Sequence, residues 1–203
     1  MSEGPKDGVI KFKFNLKMAQ AVDEQTYLDL EKWRIILFKM NFIGEYPKEK
    51  VGFGNISKRL GGDSFLITGS QTGKYQNLNG RHYTKVMKGD LAKMSIEAQG
   101  PIAPSSESLT HFAIYHSCPQ VKYIFHIHSP KLWRHMLDKN FPKTKKDTPY
   151  GTIQMAQEVK SITSKNPSGI IVMEGHEDGI ISYGETAEEA GKIILETLKI
   201  SRQ

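Results

Sequence analysis

The segment 121–128 reads Val121-Lys122-Tyr123-Ile124-Phe125-His126-Ile127-His128, and its β-branched and aromatic side chains predict a β-strand. Side chains at positions i and i+2 of a strand lie on the same face, so His126 and His128 are neighbours while Phe125 and Ile127 turn into the core. Two neutral imidazoles at that spacing can bind one zinc ion with bonds of about 2.0–2.1 Å. Solvated strand histidines are the alternative interpretation of this pair.

A third histidine, His176, follows the apolar run 170–173 inside the turn Glu174-Gly175-His176-Glu177-Asp178-Gly179. Flanking glycines expose a histidine at a turn and leave it able to reach a ligand. Three histidine ligands leave the fourth zinc position open, as a catalytic site requires. The other four histidines show no comparable spacing and are interpreted as packing or surface residues: His82, His111, His116 and His135.

The stretch Pro104-Ser105-Ser106-Glu107 predicts the start of a helix. An acidic side chain in the first turn interacts favourably with the helix macrodipole, and this is the structural interpretation of Glu107. The functional interpretation starts from Ser105 and Ser106, whose hydroxyls and N–H groups at a helix start can bind an anion. A carboxylate beside a divalent cation can also transfer a proton to or from a substrate carbon or oxygen.

Two glycine-bearing turns are further candidates for ligand binding. Gly52-Phe53-Gly54-Asn55-Ile56-Ser57 lets backbone amides and the Asn55 amide approach a ligand, and Gly69-Ser70-Gln71-Thr72-Gly73-Lys74 adds N–H donors and hydroxyls. The second turn is not a P-loop, because Tyr75 follows Lys74 where that motif has Ser or Thr. Taken singly, each segment is better explained as a simple turn than as a ligand-binding loop.

The elements predicted from hydrophobic periodicity mix strands and helices without strict βαβ alternation. This order favours an α/β fold with layers α/β/α and a central, mostly antiparallel sheet. We expect one domain over residues 1–203, with residues 1–24 as an N-terminal extension that contains a possible strand. The predicted strands are 9–16, 51–60, 64–68, 83–98, 121–128, 169–174 and 179–183, and the predicted helices cover 23–41, 152–164 and 186–200 and begin near 104 and 131.

Composition excludes several classes of protein. The chain has 203 residues, of which 38% are hydrophobic and 25% charged, and this balance argues against disorder. Its apolar runs are too short to cross a bilayer, and the acidic segment Met1 to Asp7 does not resemble a signal peptide. The single Cys118 excludes a disulfide framework. We therefore expect a soluble, cytoplasmic protein with no membrane partner.

The net charge of +6 suits either nucleic acid or a phosphorylated metabolite. Basic residues are densest between Lys131 and Lys146, but only Trp133 and Phe141 interleave with them as stacking partners. A solvated helix and loop explains this segment better than a nucleic-acid patch does. Binding to nucleic acid is consequently the least favoured interpretation.

In this order, these residues resemble the class II aldolase/adducin family over about residues 25–200. The resemblance includes the helix with His111 and Tyr115 and the two histidine motifs at His126-Ile127-His128 and Gly175-His176. The other matching motifs are Gly54-Asn55-Ile56-Ser57, Leu66-Ile67-Thr68 with Thr72-Gly73, Pro104-Ser105-Ser106-Glu107, Pro149-Tyr150-Gly151-Thr152, and Gly184-Glu185-Thr186-Ala187-Glu188-Glu189-Ala190.

The resemblance implies a zinc-dependent enzyme, or one that uses another divalent metal, usually a homotetramer with sites near subunit boundaries. It implies that Glu107 is the catalytic acid/base and that the substrate is a small phosphorylated sugar. The implied metal ligands are His126, His128 and His176, and the implied phosphate-binding residues are Asn55, Thr72, Gly73, Ser105 and Ser106.

The sequence departs from the family pattern in three places. The turn Thr68-Gly69-Ser70-Gln71-Thr72-Gly73 is two residues longer than the family's Thr-Pro-Ser/Thr-Gly turn. The sequence therefore leaves open which hydroxyl of the turn contacts phosphate. Glu177 and Asp178 are inserted after His176, where they could coordinate metal or repel an anionic substrate. No residue between His128 and Pro149 can be assigned to the tyrosine with which family aldolases serve a neighbouring subunit's site.

The expected reaction is the cleavage or formation of a ketose phosphate, in which the metal stabilises an enediolate. A sugar-phosphate dehydratase or epimerase on the same site is an alternative, although epimerases of the family more often have aspartate at the position of Glu107. A non-catalytic, adducin-like interaction module is the alternative from another class of protein. Retention of all three histidines together with Glu107 argues against that module.

Overall fold

The structure, a computed structural model, describes residues 8–202. The segment 1–7, for which the sequence analysis expects no signal peptide, lies outside the described residues. The secondary-structure elements run in the order β1 Lys13–Met18, α1 Glu24–Lys39, β2 Gly44–Tyr46, β3 Val51–Phe53, β4 Asn55–Gly61, β5 Ser64–Thr68, β6 Tyr83–Asp90, β7 Ser95–Gly100, α2 Ser108–Ser117, β8 Tyr123–His128, α3 Pro130–Asp138, α4 Ile153–Thr163, β9 Gly169–Val172, β10 Gly179–Gly184 and α5 Ala187–Ile200.

Eight of the strands form one sheet in the order β1-β7-β6-β5-β4-β8-β10-β9. Every neighbouring pair is antiparallel except β1 and β7, which are parallel. The predicted central, mostly antiparallel sheet is thus confirmed. The strands β2 and β3 pair only with each other and form a small hairpin beside the large sheet.

The central strands of the sheet are buried on both faces, and their side chains alternate between two hydrophobic clusters. On β5, Phe65 and Ile67 belong to one cluster with residues of α2 and α4, whereas Leu66 belongs to the other with residues of α1, α3 and α5. Helices therefore cover both faces of the sheet, which gives the predicted α/β/α layers. On β8, Phe125 and Ile127 pack into the second cluster as predicted, so His126 and His128 face the side of α2.

Three predicted strands differ from the observed ones by more than two residues at one end or by a break. The strand predicted over 51–60 is broken at Gly54, whose φ of +73° and close approach to the Phe42 carbonyl favour glycine. The strand predicted over 83–98 is the hairpin of β6 and β7, with Met94 at φ 47° in its turn. The predicted strand 9–16 is observed at Lys13–Met18, because residues 8–12 cross the loops of the functional site before β1 begins.

The basic segment between Lys131 and Lys146 includes helix α3 and the loop that follows it. Lys143 pairs with Glu174 at 2.9 Å, and Lys145 pairs with Glu158 at 3.0 Å. Two of its positive charges are therefore neutralised within the chain, in line with a solvated helix and loop. Among residues 8–202, none of the helices combines the length and the apolarity needed to cross a membrane.

Candidate functional site

Three histidines meet at one end of β8. His126 and His128 lie on β8, and His176 lies in the turn that enters β10, whose Gly179 is paired with His128. One nitrogen from each ring lies within 4.8 Å of the others, and the three side chains are 1–4% exposed. A Cβ at Gly179 would approach the His176 ring to 3.0 Å, so glycine leaves room for that ring. The structure thus brings together the three histidines that the sequence nominates.

The hydrogen-bond partners of the histidines restrict where their protons lie. His126 Nδ1 is 3.2 Å from the Ile180 carbonyl, which only accepts, so in the neutral ring Nδ1 carries the hydrogen and Nε2 presents a lone pair. His128 Nδ1 is 3.0 Å from Tyr46 Oη, which can donate or accept. The two Nε2 atoms are 3.1 Å apart. If His128 carries its hydrogen on Nε2, that hydrogen bonds to His126 Nε2. If His128 carries it on Nδ1 instead, the two Nε2 lone pairs can both bind one cation.

The second arrangement fits a divalent metal. Nitrogens bonded to one tetrahedral zinc at about 2.0–2.1 Å lie about 3.3–3.4 Å apart, close to the observed spacing. Burial, together with the positive charge of Lys11, lowers the pKa of His176 to about 3, so that ring is neutral at physiological pH, as a metal ligand must be. Metal-binding histidines usually have their other nitrogen hydrogen-bonded, as Ile180 and Tyr46 provide for here.

Glu107 lies at the edge of the histidine cluster. It immediately precedes α2 and is 1% exposed, and its side chain makes no capping hydrogen bond to that helix. Its Oε1 atom is instead 3.8 Å from His176 Nδ1. A buried carboxylate at this distance from the histidines is placed to exchange a proton with a substrate held beside them.

A polar pocket adjoins the histidine cluster, since Asn55 on β4 is paired with His126 on β8. None of its described lining residues has a charged side chain. Asn55 Oδ1 is buried and has no hydrogen-bond partner among the described residues. The lining comprises all five predicted phosphate-binding residues, Asn55, Thr72, Gly73, Ser105 and Ser106, together with Gly8, Gly52, Gly54, Gly69, Ser70 and Gln71.

Hydrogen bonds distinguish the hydroxyls of the longer turn. Thr72 Oγ1 donates to the Gly69 carbonyl at 2.8 Å, so its proton is already used and its oxygen can only accept from a ligand. Gln71 has a backbone φ of 60°. Its side-chain Oε1 accepts from the Gly52 N–H, and its Nε2 donates to the Gly8 carbonyl. Gln71 of the longer turn therefore joins the N-terminal segment to the pocket.

Sequence reasoning missed two tyrosines of the site. Tyr46 reaches His128 from the small hairpin, and no pattern in the sequence indicates that contact. The Tyr150 ring stacks on His176 with centroids 4.8 Å apart, and Lys11 Nζ lies 3.6 Å from the Tyr150 ring centroid. Tyr150 belongs to the motif Pro149-Tyr150-Gly151-Thr152, which could have nominated it.

Other predicted residues have different surroundings. His111 is fully buried, as expected of a packing residue, but it also makes a polar contact. Its Nδ1 atom is 2.7 Å from Ser57 Oγ, and Ser57 Oγ is 2.8 Å from Tyr115 Oη. Burial lowers the pKa of His111 to about 3. Glu177 is exposed, and neither it nor Asp178 joins the three histidines in the group that could hold a metal.

Comparison with solved structures places this fold among aldolase-like proteins. YgbL from Escherichia coli, described by the alternatives aldolase, epimerase and decarboxylase, superposes with a TM-score of 0.66 at 18% identity over 88% of this chain and 87% of its own. The L-fuculose-1-phosphate aldolase of Thermus thermophilus gives a TM-score of 0.62 at 19% identity, covering 89% and 92%. A sugar-phosphate aldolase from Thermotoga maritima gives 0.63 at 16% identity, covering 88% and 94%.

At these identities the likeness establishes the fold, and no curated protein matches the chain in sequence. The family model described as Class II Aldolase and Adducin N-terminal domain matches residues 46–202, which is more than three quarters of the chain and includes every residue of the histidine cluster. The chain therefore belongs to the class II aldolase and adducin family.

Proposed function

We propose that the protein is a divalent-metal-dependent lyase of the aldolase type, which cleaves or forms a ketose phosphate. The observation that carries this proposal is the convergence of three buried histidines, a buried carboxylate and a polar, glycine-rich pocket. In this proposal His126, His128 and His176 hold the metal, with Zn²⁺ as the expected ion. The enzyme is further expected to be cytoplasmic and homo-oligomeric, a tetramer by family resemblance.

A divalent ion in this site supplies Lewis-acid stabilisation of the negative charge that develops on a substrate oxygen as the carbon–carbon bond breaks. In cleavage, Glu107 takes the proton of the substrate hydroxyl that becomes the aldehyde and delivers a proton to the carbon that loses its bond. In the reverse direction it moves the proton from that carbon back to the oxygen. The 1% exposure of Glu107 keeps bulk water away from the carboxylate. The site can therefore run the reaction in either direction with one proton carrier.

The adjoining pocket binds the phosphate group. Backbone N–H groups of glycine-rich turns and the hydroxyls of Ser70, Ser105 and Ser106 can donate to phosphate oxygens. Ser105 and Ser106 also stand at the N-terminal end of α2, where the helix dipole favours an anion. Phosphate binding there fixes the distance between the reacting carbons and Glu107, which lowers the entropic part of the barrier.

Epimerisation or dehydration of a sugar phosphate on the same residues is the second candidate. The likeness to YgbL, for which aldolase, epimerase and decarboxylase are given as alternatives, favours keeping it. Both reactions use the same proton carrier and metal ligands but release no aldehyde. Product analysis therefore separates them from aldol cleavage.

The test is aldehyde release from a panel of ketose 1-phosphates by Zn²⁺-loaded protein. We expect cleavage by the wild type, a loss of roughly 10²–10⁴-fold in Glu107→Gln, and unchanged activity in the surface control Glu188→Gln. Proton exchange into the substrate without aldehyde would favour the epimerase or dehydratase. Protein that neither retains added zinc nor turns over any substrate would overturn the enzyme and leave the interaction module.

A further inference from the structure

The pocket turn is held from behind by helix α1. Residues 72–78 include the last two residues of the turn, Thr72 and Gly73, which line the pocket, and the loop that continues to Leu78. The side chain of Arg34 is 1% exposed and reaches this loop from the core. Its Nη1 donates to the Gln76 carbonyl at 3.0 Å, and its Nη2 donates to the carbonyls of Thr72, at 3.3 Å, and Tyr75.

The far end of the same loop is held one helical turn earlier on α1. Glu31 Oε1 accepts from the Leu78 N–H at 2.7 Å, and Glu31 Oε2 accepts from Tyr83 Oη at 2.5 Å. Arg34 Nη1 and Glu31 Oε1 are 3.8 Å apart, so their shortest hydrogen bonds go to the loop and to Tyr83 rather than to each other. The two buried charges therefore define the path of the loop from Thr72 to Leu78.

The bond from Arg34 to the Thr72 carbonyl also orients a donor toward the pocket. The Thr72–Gly73 peptide is trans, so its N–H points opposite to its C=O and away from Arg34. Gly52, another pocket residue, is close to the nitrogen of that group, because a Cβ at Gly52 would be 3.4 Å from Gly73 N. A cation on the carbonyl of a peptide polarises the N–H of the same peptide and strengthens its bond to an anion.

We propose that Arg34 is a positioning residue of the phosphate site, acting through the Thr72–Gly73 peptide. This inference rests on the proposed function, because it assigns the phosphate group of the substrate to the pocket. The site would recognise a phosphate monoester through neutral donors at its surface, with the compensating guanidinium buried behind the loop. Arg34 and α1 lie outside residues 46–202, so the family match does not include them.

An arginine suits this position better than a lysine would. The planar guanidinium presents five N–H donors in a fixed fork and here bonds three carbonyl oxygens. A lysine ammonium keeps the charge but is a compact group that cannot span the same oxygens. Arg34→Lys consequently separates the geometry of the loop from its charge.

The test measures the dissociation constant of inorganic phosphate by calorimetry on zinc-loaded protein, together with KM and kcat for the cleaved ketose phosphate. We expect Arg34→Met to weaken phosphate binding at least tenfold and to raise KM by more than it lowers kcat. Arg34→Lys should fall between Arg34→Met and the wild type. Arg81→Met, an exposed arginine outside the pocket, is the control for net charge.

Tyr83→Phe is the control for stability. It removes the hydrogen bond from Tyr83 Oη to Glu31, the buried carboxylate beside Arg34, and leaves the loop carbonyls that accept from Arg34 in place. It should lower the melting temperature and leave phosphate affinity unchanged. Wild-type phosphate affinity in folded Arg34→Met overturns the inference, and if that variant does not fold, unchanged affinity in Arg34→Lys does so. A wild type that binds zinc but no phosphate would instead overturn the phosphate pocket of the proposed function.

Discussion

The Nε2 atoms of His126 and His128 face each other at 3.1 Å on one strand. This spacing follows from two residues at i and i+2 whose rings are each fixed at Nδ1, His126 by Ile180 and His128 by Tyr46. A shared hydrogen bridges the two nitrogens when no cation is present. In the proposed metal site an ion would take the place of that hydrogen, and the observed distance between the two nitrogens is already close to the roughly 3.3–3.4 Å that a tetrahedral zinc site needs.

Removal of both imidazoles should abolish metal binding. We expect near-stoichiometric metal in the purified wild type and less than about a tenth of that in His126→Ala/His128→Ala, because one histidine and Glu107 are too few ligands for a tight site. Elemental analysis after dialysis measures this. His116→Ala, which removes a half-exposed histidine paired with Asp63, should retain wild-type metal content. Equal metal in the double variant would place the ion elsewhere.

The hydroxyl of Tyr46 should contribute to metal affinity through His128. In Tyr46→Phe the ring keeps its contact with Phe53, with centroids 4.6 Å apart, but the hydrogen bond between Tyr46 Oη and His128 Nδ1 is lost. Loss of such a hydrogen bond typically costs 10–100-fold in metal affinity, roughly, and we expect a decrease in that range. Competition with a chromogenic chelator measures it, with the exposed Tyr75→Phe as control. An unchanged affinity would mean that Tyr46 only packs against the ring.

The elements that carry the site were predictable because local patterns determine them. The alternation around His126-Ile127-His128 predicts both the strand and the face of each side chain, and the structure agrees. The strand start at Lys13 was not predictable, because residues 8–12 follow contacts with Gln71 and Tyr150, which are distant in sequence. Hydrophobic periodicity carries no information about such contacts.

The same distinction applies within the site. The three histidines are recognisable from the ligand chemistry of their side chains, and the structure brings them together. Tyr46 contacts His128 from a hairpin, and Arg34 contacts the Thr72 carbonyl from a helix. The placement of both elements depends on tertiary packing. His111 looked like an ordinary helix residue, and only its packing against Ser57 shows a buried polar network. The residues that support a candidate site are therefore harder to predict from sequence than the candidate metal-binding residues themselves.

Acidification should destabilise the fold through His111. Burial lowers its pKa to about 3 in the folded state, against an ordinary value of 6.5 in the unfolded chain. Below pH 6.5 the unfolded state binds a proton that the folded state excludes until about pH 3, so stability falls as pH decreases through this window. The slope is about 1.4 kcal/mol per pH unit for this one group.

His111→Gln removes the titrating group but keeps a polar side chain. Between pH 7 and pH 5 the wild type should lose about 2 kcal/mol more stability than the variant, as measured by urea unfolding of metal-free protein at each pH. Tyr115→Phe, which disrupts the same network at Ser57, should lower stability equally at both pH values. Parallel pH profiles for wild type and His111→Gln would show that His111 accepts a proton in the folded state.

The packing of α1 on α5 should be sensitive to one methyl group at Gly191. A Cβ there would approach Trp33 Cζ3 to 2.1 Å, and Trp33 is a core residue at 9% exposure with little room to move. We expect Gly191→Ala to cost roughly 1–3 kcal/mol of unfolding free energy, measured by urea denaturation. Gly61→Ala is the matched control, because nothing lies within 4 Å of the added atom. Wild-type stability in Gly191→Ala would mean that the two helices separate at little cost.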